Sequence, residues 1–439
     1  MPVQPGPASP SSPTHSEHDE NVVSELLELL LEDLARDSPP PSPPAPPAPE
    51  PEPDYSYLLR DGELYWRDHY DWFLEKGYRL RPRYKPNWIP SWIEKPDKFQ
   101  GESEDSLAFI HRNLNDAIQI SQDRHVVLKR ISRSRAPEEV SILDYFSKEP
   151  WASQLENHCV PLVEVLRPPG DPDHDVVVLP VLRQYDNPEF ETIGEAIDFI
   201  RQVLEGFTFL HEHRVAHRDV KVENVMMDPK AMQFQRFHFC AHEMPHEFEK
   251  SVDTKHISWK FSRTERRPKY YIIDFGHASQ YTDEQMPPLE WVDVASDPSL
   301  PEIKARHKPW NPFPIDVYYV GNFIRMEFLD GHDLNDSRTG CFGFEFLRPL
   351  VEAMTKEDPD ERITMKDALE NFDVIVSTLN CGTLRSRIVR MPGVEMPAEG
   401  FIDTVTRTAS HWCRTIKYIT KGLPPIPSEP IPDESNSSN

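Results

Sequence analysis

The stretch His217-Arg218-Asp219-Val220-Lys221-Val222-Glu223-Asn224, followed downstream by Asp274-Phe275-Gly276, decides how the rest of the chain is read. It sets out an Asp, a Lys two positions on, an Asn three beyond that, and a second Asp after the strand-like run Tyr270-Tyr271-Ile272-Ile273. Carboxylate and amide oxygens are the hard ligands that Mg2+ prefers, and a Lys beside them brings a point charge to a phosphate. These are the groups needed to move a phosphoryl group, a reaction that asks for positioning and for neutralisation of charge spread over the transferring oxygens.

Both motifs and their spacing resemble the catalytic loop and metal-binding motif of eukaryotic protein kinases, and Lys221 sits where the serine/threonine class has its lysine. The resemblance implies an α+β, two-lobed protein kinase fold, with a small β-rich lobe ahead of a larger helical one. It implies ATP and Mg2+ as cofactors and a protein Ser or Thr hydroxyl as substrate. In that pattern Asp219 accepts the hydroxyl proton, Lys221 reaches the transferring phosphate, and Asn224 and Asp274 hold metal. Val126-Val127-Leu128-Lys129 resembles the strand whose Lys meets the α and β phosphates. Glu139-Val140-Ser141-Ile142-Leu143 resembles the helix whose Glu pairs with that Lys, with Glu138 a rival because the separation is short. Ala117 and Leu179 are the remaining expected nucleotide contacts, Leu179 near the back of the adenine pocket.

Further matches concern architecture. His217 and Phe275 resemble residues that pack between the lobes, and Arg218 one that clamps a phosphorylated segment. Pro301-Glu302, Asp316 to Gly321 and Arg362 resemble the anchoring of an activation segment, with Arg362 paired to Glu302; kinases of small molecules lack it. Thr282, Ser296 and Ser299 are candidate phosphosites. Where the family has a glycine-rich loop over the phosphates, Ser106 to Asn115 has no glycine, so backbone N–H groups cannot approach phosphate as closely. That departure keeps a second reading open: a pseudokinase acting as scaffold or allosteric partner, with impaired ATP binding.

Between Asn224 and Asp274 the chain is long for the family, which predicts an insertion over about 229–267. Within it Phe237 to His242 alternates. A strand there puts His238, Cys240 and His242 on one face, with His246 nearby, open either to zinc or to simple burial. Arg263, Arg266, Arg267 and Lys269 read as a solvated basic rim.

The 439 residues leave room for such a domain plus tails, since Pro numbers 46 and hydrophobic residues are 38%. Residues 1–54 read as a disordered Pro-rich tail, with a short acidic Leu-rich helix at 21–37 that suits a docking partner or its own domain. Ser9, Ser12, Ser38 and Ser42 each precede Pro. Residues 55–99 are rich in Trp and Tyr and are expected as an extension packed on the domain, which spans 100–379; 380–439 is a docked tail with a disordered end. Trp66-Arg67-Asp68 with Gly77-Tyr78 and Leu80-Arg81-Pro82-Arg83-Tyr84 resembles a group of kinase-domain proteins of mushroom-forming fungi. A net charge of −26 argues against nucleic-acid binding. Five scattered cysteines point to a reducing compartment, and no apolar run predicts a membrane span, so cytoplasm or nucleus is expected.

Overall fold

Two short helices, α1 (Asp61–Asp68) and α2 (Tyr70–Glu75), lead into strand β1 (Tyr78–Leu80) in the computed structural model. It describes residues 59–86, 88–94, 100–232, 236–245, 259–292, 297–305, 307–332, 339–393 and 400–428. The Leu-rich stretch 21–37, the serines that precede proline, His246 and Ser296 lie outside the described residues.

Strands β2 (Leu114–Gln119) and β3 (Arg124–Ser132) form a hairpin, turned by Asp123 in the left-handed region (φ 47°). Helix α3 (Glu139–Phe146) and strands β4 (Glu164–Leu166) and β5 (His174–Pro180) follow, giving an antiparallel sheet of order β1-β2-β3-β5-β4. Side chains alternate between the faces of a strand, so register decides what each residue can reach. Ala117, Val126, Leu128, Val176 and Val178 share one face, and their cluster includes Trp66, Tyr70 and Phe73. Lys129 stands on the other face, opposite Leu114 and Val177.

The aromatic stretch is therefore roofing for the sheet. Trp66 is 1% exposed and Phe73 0%, and burial at that level is a large apolar gain for each ring. Behind β1, the Arg83 Nε donates to Glu63 Oε1 at 2.9 Å, both side chains buried, with the Tyr84 hydroxyl on the same oxygen at 3.2 Å. β1, from within 55–99, is an edge strand of the sheet, paired with β2.

The larger part begins at β6 (Arg183–Gln184) and the long α4 (Ile193–Glu212), whose N-cap Thr192 Oγ1 accepts from Glu195 N at 3.1 Å. Then come β7 (Val215–Ala216), β8 (Val225–Asp228), β9 (Phe237–His238), β10 (Ala241–Pro245), β11 (Lys269–Ile272) and β12 (Ser279–Gln280). β8 lies between β11 and β6, and β12 pairs with β7. Helices α5 (Pro312–Ile324), α6 (Arg348–Met354), α7 (Met365–Ser377) and α8 (Phe401–Thr420) complete it. No helix among the described residues is long and apolar enough to cross a membrane.

Three expectations change. The alternating run at 237–242 is not one strand: β9 and β10 fold back as an antiparallel hairpin turning at Phe239-Cys240, so the alternation of a single strand does not apply to it. Among the described residues no group of three His, Cys, Asp or Glu could hold a metal. The basic rim is partly interior. Arg263 is 2% exposed and donates to the Tyr270 hydroxyl, Glu189 O and Tyr185 O, while Arg267 pairs with Asp198 at 2.8 Å. Finally, α8 was not foreseen within the C-terminal tail. Its apolar residues point two ways: Tyr418 is buried against the domain with His411 and Thr415, while Ile402, Val405, Trp412, Ile416 and Ile419 are exposed.

Candidate functional site

Asp316 shapes the loop that carries the motif. From α5 its fully buried carboxylate accepts from His217 N at 2.7 Å and Arg218 N at 2.8 Å, with His211 Nε2 3.2 Å away. Two adjacent N–H groups held by one carboxylate force a sharp turn, and Arg218 adopts a left-handed φ of 66°. The sequence reading placed Asp316 in a helix match and missed this role, although a charged residue within an apolar helical run signals one. Val220 and Val222 are buried beside it, and Lys221 between them faces outward, its side chain 40% exposed.

Asp219, Lys221 and Asn224 come together on that turn. Asp219 Oδ2 accepts from Lys221 Nζ at 3.0 Å and from Asn224 Nδ2 at 3.0 Å, and the same amide nitrogen donates to Asp219 O at 2.8 Å. Asn224 thereby turns its Oδ1 away as an acceptor. The His217 ring, fully buried, donates from Nε2 to Ile273 O at 3.0 Å and lies 5.2 Å from the Phe275 ring. Burial holds its pKa below the ordinary value, so it is a neutral spacer. Ile273 N donates back to Asn224 O at 2.9 Å, which sets Asp274 beside the 217–224 loop.

Asp274 itself is left-handed (φ 64°, ψ 68°). Its Oδ1 accepts from Lys129 Nζ at 2.7 Å, and the same ammonium sits 2.5 Å from Glu139 Oε1. A Cβ at Gly276 would come 3.3 Å from Asp274 Oδ1, so glycine keeps that oxygen uncrowded. Burial alone would lower the Lys129 pKa, but the two carboxylates more than reverse it and hold the ammonium above its ordinary value. Burial likewise pushes Asp274 up, and Lys129 outweighs it to leave the carboxyl below its usual range. Both groups are ionised at neutral pH. The rival Glu138 points elsewhere, accepting from Gln280 N at 2.8 Å.

The two expected nucleotide contacts separate. Leu179 pairs with Val127 and so shares the Lys129 face. Ala117 pairs with Val126 and stands on the opposite face, in the cluster with Trp66 and Phe73. It cannot touch a ligand that Lys129 touches; the alternation of the strand puts Asp116 there instead.

Arg218 donates from Nη1 to Ser279 Oγ at 3.2 Å and from Nη2 to Trp291 O at 3.3 Å, within the segment it was expected to hold. Ser299 is exposed, its hydroxyl 3.1 Å from the Tyr318 hydroxyl, and Thr282 caps a single helical turn. A separate cavity of about 790 Å³ lies between α8 and the residues around Tyr185 and Arg390; neither Lys129 nor Asp274 lines it.

The donor set suits Mg2+. That ion takes one or two protein oxygens plus phosphate and water, and Asp274, with its carboxylate 41% exposed, and the Asn224 amide oxygen supply two hard oxygens from adjacent backbone.

Residues 115–334, half of the 439, match the family model described as a protein kinase domain. Over 123 residues, 28% of this chain, it is 35% identical to the serine/threonine-protein kinase CAK1 of Saccharomyces cerevisiae. Over 63 residues, 14% of this chain, it is 36% identical to death-associated protein kinase 2 of Mus musculus and of Homo sapiens. The matched stretches span only 24% of the yeast relative and 17% of the mammalian ones.

Proposed function

The chain belongs to the protein kinase family, and from that premise we propose that it transfers the γ-phosphoryl group of ATP to Ser or Thr hydroxyls of a protein. The observation that carries the reading is the Lys129 ammonium lodged between Glu139 and Asp274, at 2.5 and 2.7 Å. A lysine so held is charged and fixed in place to meet phosphate oxygens. Asn224 and Asp274 would hold Mg2+, which when bound supplies charge neutralisation for the phosphates.

The other groups divide the remaining work. Asp219 orients the substrate hydroxyl and takes its proton at a carboxylate oxygen. Lys221, already 3.0 Å from that carboxylate, offers its ammonium to the transferring phosphoryl oxygens. Its position supports the Ser/Thr class. Arg218 faces the segment between Asp274 and Glu302, where a phosphate on that segment would find a guanidinium. The boundaries 100–379 for the catalytic part, and cytoplasm or nucleus as its location, go with this reading.

A non-catalytic scaffold is the rival, favoured by one observation. The connection between β1 and β2 runs from Arg81 to Asn113, with Gly101 its one glycine, in place of a short glycine loop. Incubating wild type and Asp274→Asn with Mg-ATP and a basic protein decides between them. Phosphate incorporation that the variant loses supports the kinase; ATP binding absent from the wild type supports the scaffold.

A further inference from the structure

The geometry points to a regulatory role for the insertion hairpin β9–β10: it covers the base end of the nucleotide cleft, so that nucleotide enters only when the hairpin moves aside. This rests on the reading of Lys129, Asn224 and Asp274 as the phosphate and metal end of that cleft.

The sheet face that carries Lys129 is the roof of the cleft. One pleat repeat along β3 from Lys129, Val127 pairs with Asp116 on β2 and with Leu179 on β5. The row continues into Arg81, just past β1, whose Nε is 3.2 Å from Asp116 Oδ1. Pockets for small ligands are mostly apolar, yet this row holds a charged pair at 4% and 2% side-chain exposure. Such a pair needs close partners to offset its desolvation. His125 Nε2 supplies one to Asp116 at 2.8 Å.

The hairpin is built against that row. His238 is 0% exposed; its Nδ1 accepts from Cys240 N at 3.2 Å, so Nε2 carries the proton toward Glu104 Oε1 at 3.0 Å. Glu104 in turn accepts from Arg81 at 3.1 Å, and His238 Nε2 lies 3.4 Å from the same guanidinium nitrogen. Phe239 packs on Phe109 of the β1–β2 connection, with ring centroids 4.6 Å apart. On the third side is Arg183, three residues beyond the end of β5 where the lobes join. Its guanidinium donates to His242 O and lies 5.1 Å from the Phe237 ring. Roof, β1–β2 connection and lobe junction are all touched by β9–β10, on the Arg81 to Leu179 side of Lys129.

The same contacts let it leave. A lone two-stranded hairpin is marginal in water. Without it, Arg81 keeps Asp116, Glu104 and Leu107 O at 2.8 Å, and Asp116 keeps His125. Arg183 keeps Asn187 O at 3.1 Å and Asn187 Oδ1 at 2.8 Å, so each of these buried charges retains a partner when the hairpin departs.

The test compares the full chain with a variant in which Phe237–Pro245 is replaced by a Gly-Ser linker, titrating each with a fluorescent ATP analogue and Mg2+. The replacement is expected to bind at least about tenfold tighter, roughly 1.4 kcal/mol, and Lys129→Met in that background is expected to abolish the gain. Equal affinities, including no binding by either, overturn the proposal. If the replacement does not fold, Phe237→Ala with His238→Ala is expected to tighten binding severalfold, and unchanged or weaker binding overturns it. A replaced chain that binds Mg-ATP but transfers no phosphate would sink the kinase reading and leave the hairpin proposal standing.

Discussion

Arg362 clamps Glu302 with two parallel bonds, Nη1 to Oε1 at 2.6 Å and Nη2 to Oε2 at 2.9 Å, with side-chain exposures of 0% and 1%. The pair joins the end of the segment that follows Asp274 to the turn ahead of α7. Removing the arginine strands a buried carboxylate. Arg362→Ala is therefore expected to cost about 3–5 kcal/mol, read by chemical denaturation. Arg362→Lys should recover little, because an ammonium cannot reproduce the fork. A loss near zero for the alanine variant would show that Glu302 finds water or another partner.

Catalysis and folding should come apart at Asp219. Asp219→Asn keeps an oxygen to accept from Lys221 and Asn224, so its denaturation midpoint should match wild type. Phosphate transfer should fall by at least about a hundredfold, the usual scale for a lost general base. Equal turnover in the two proteins would remove Asp219 from the mechanism.

Acidity should act on stability through Asp198. Burial pushes this carboxyl up from 3.8 to about 6, with the Arg267 guanidinium only partly opposing. The folded state therefore holds a proton that the unfolded chain has released between those values. Stability from this group is present at low pH and is lost as pH rises from about 4 to about 6, on the order of 2–3 kcal/mol. Subtracting the stability–pH curve of Asp198→Asn from that of wild type should leave this slope, and a flat difference would refute it.

The aromatic roof should behave as core. Trp66 packs on Phe73 with centroids 5.7 Å apart and donates from Nε1 to Arg112 O at 3.2 Å. Trp66→Ala is expected to cost about 3–5 kcal/mol in a denaturant melt. A detachable extension would instead lose under 1 kcal/mol.

Sequence alone pointed to the protein kinase family and to most of the residues that the structure gathers at the candidate site. Its motifs are short and local, and Asp219, Lys221 and Asn224 lie within six residues of one another, so one loop gathers all three side chains. Lys129 and Glu139 were also legible through the resemblance of their two stretches to the family's strand and helix, with Glu138 separated from Glu139 only by the placement of α3. What the chain could not announce was register. Ala117 and Asp116 are neighbours in sequence, yet the pairing of β2 with β3 sends one under Trp66 and the other to the face of Lys129. The role of Asp316 and the turning of 237–245 into a hairpin against Arg81 were likewise decided by tertiary packing. Such polar contacts join residues far apart in the chain, and no local pattern specifies which distant partner will offset the cost of burying a charge.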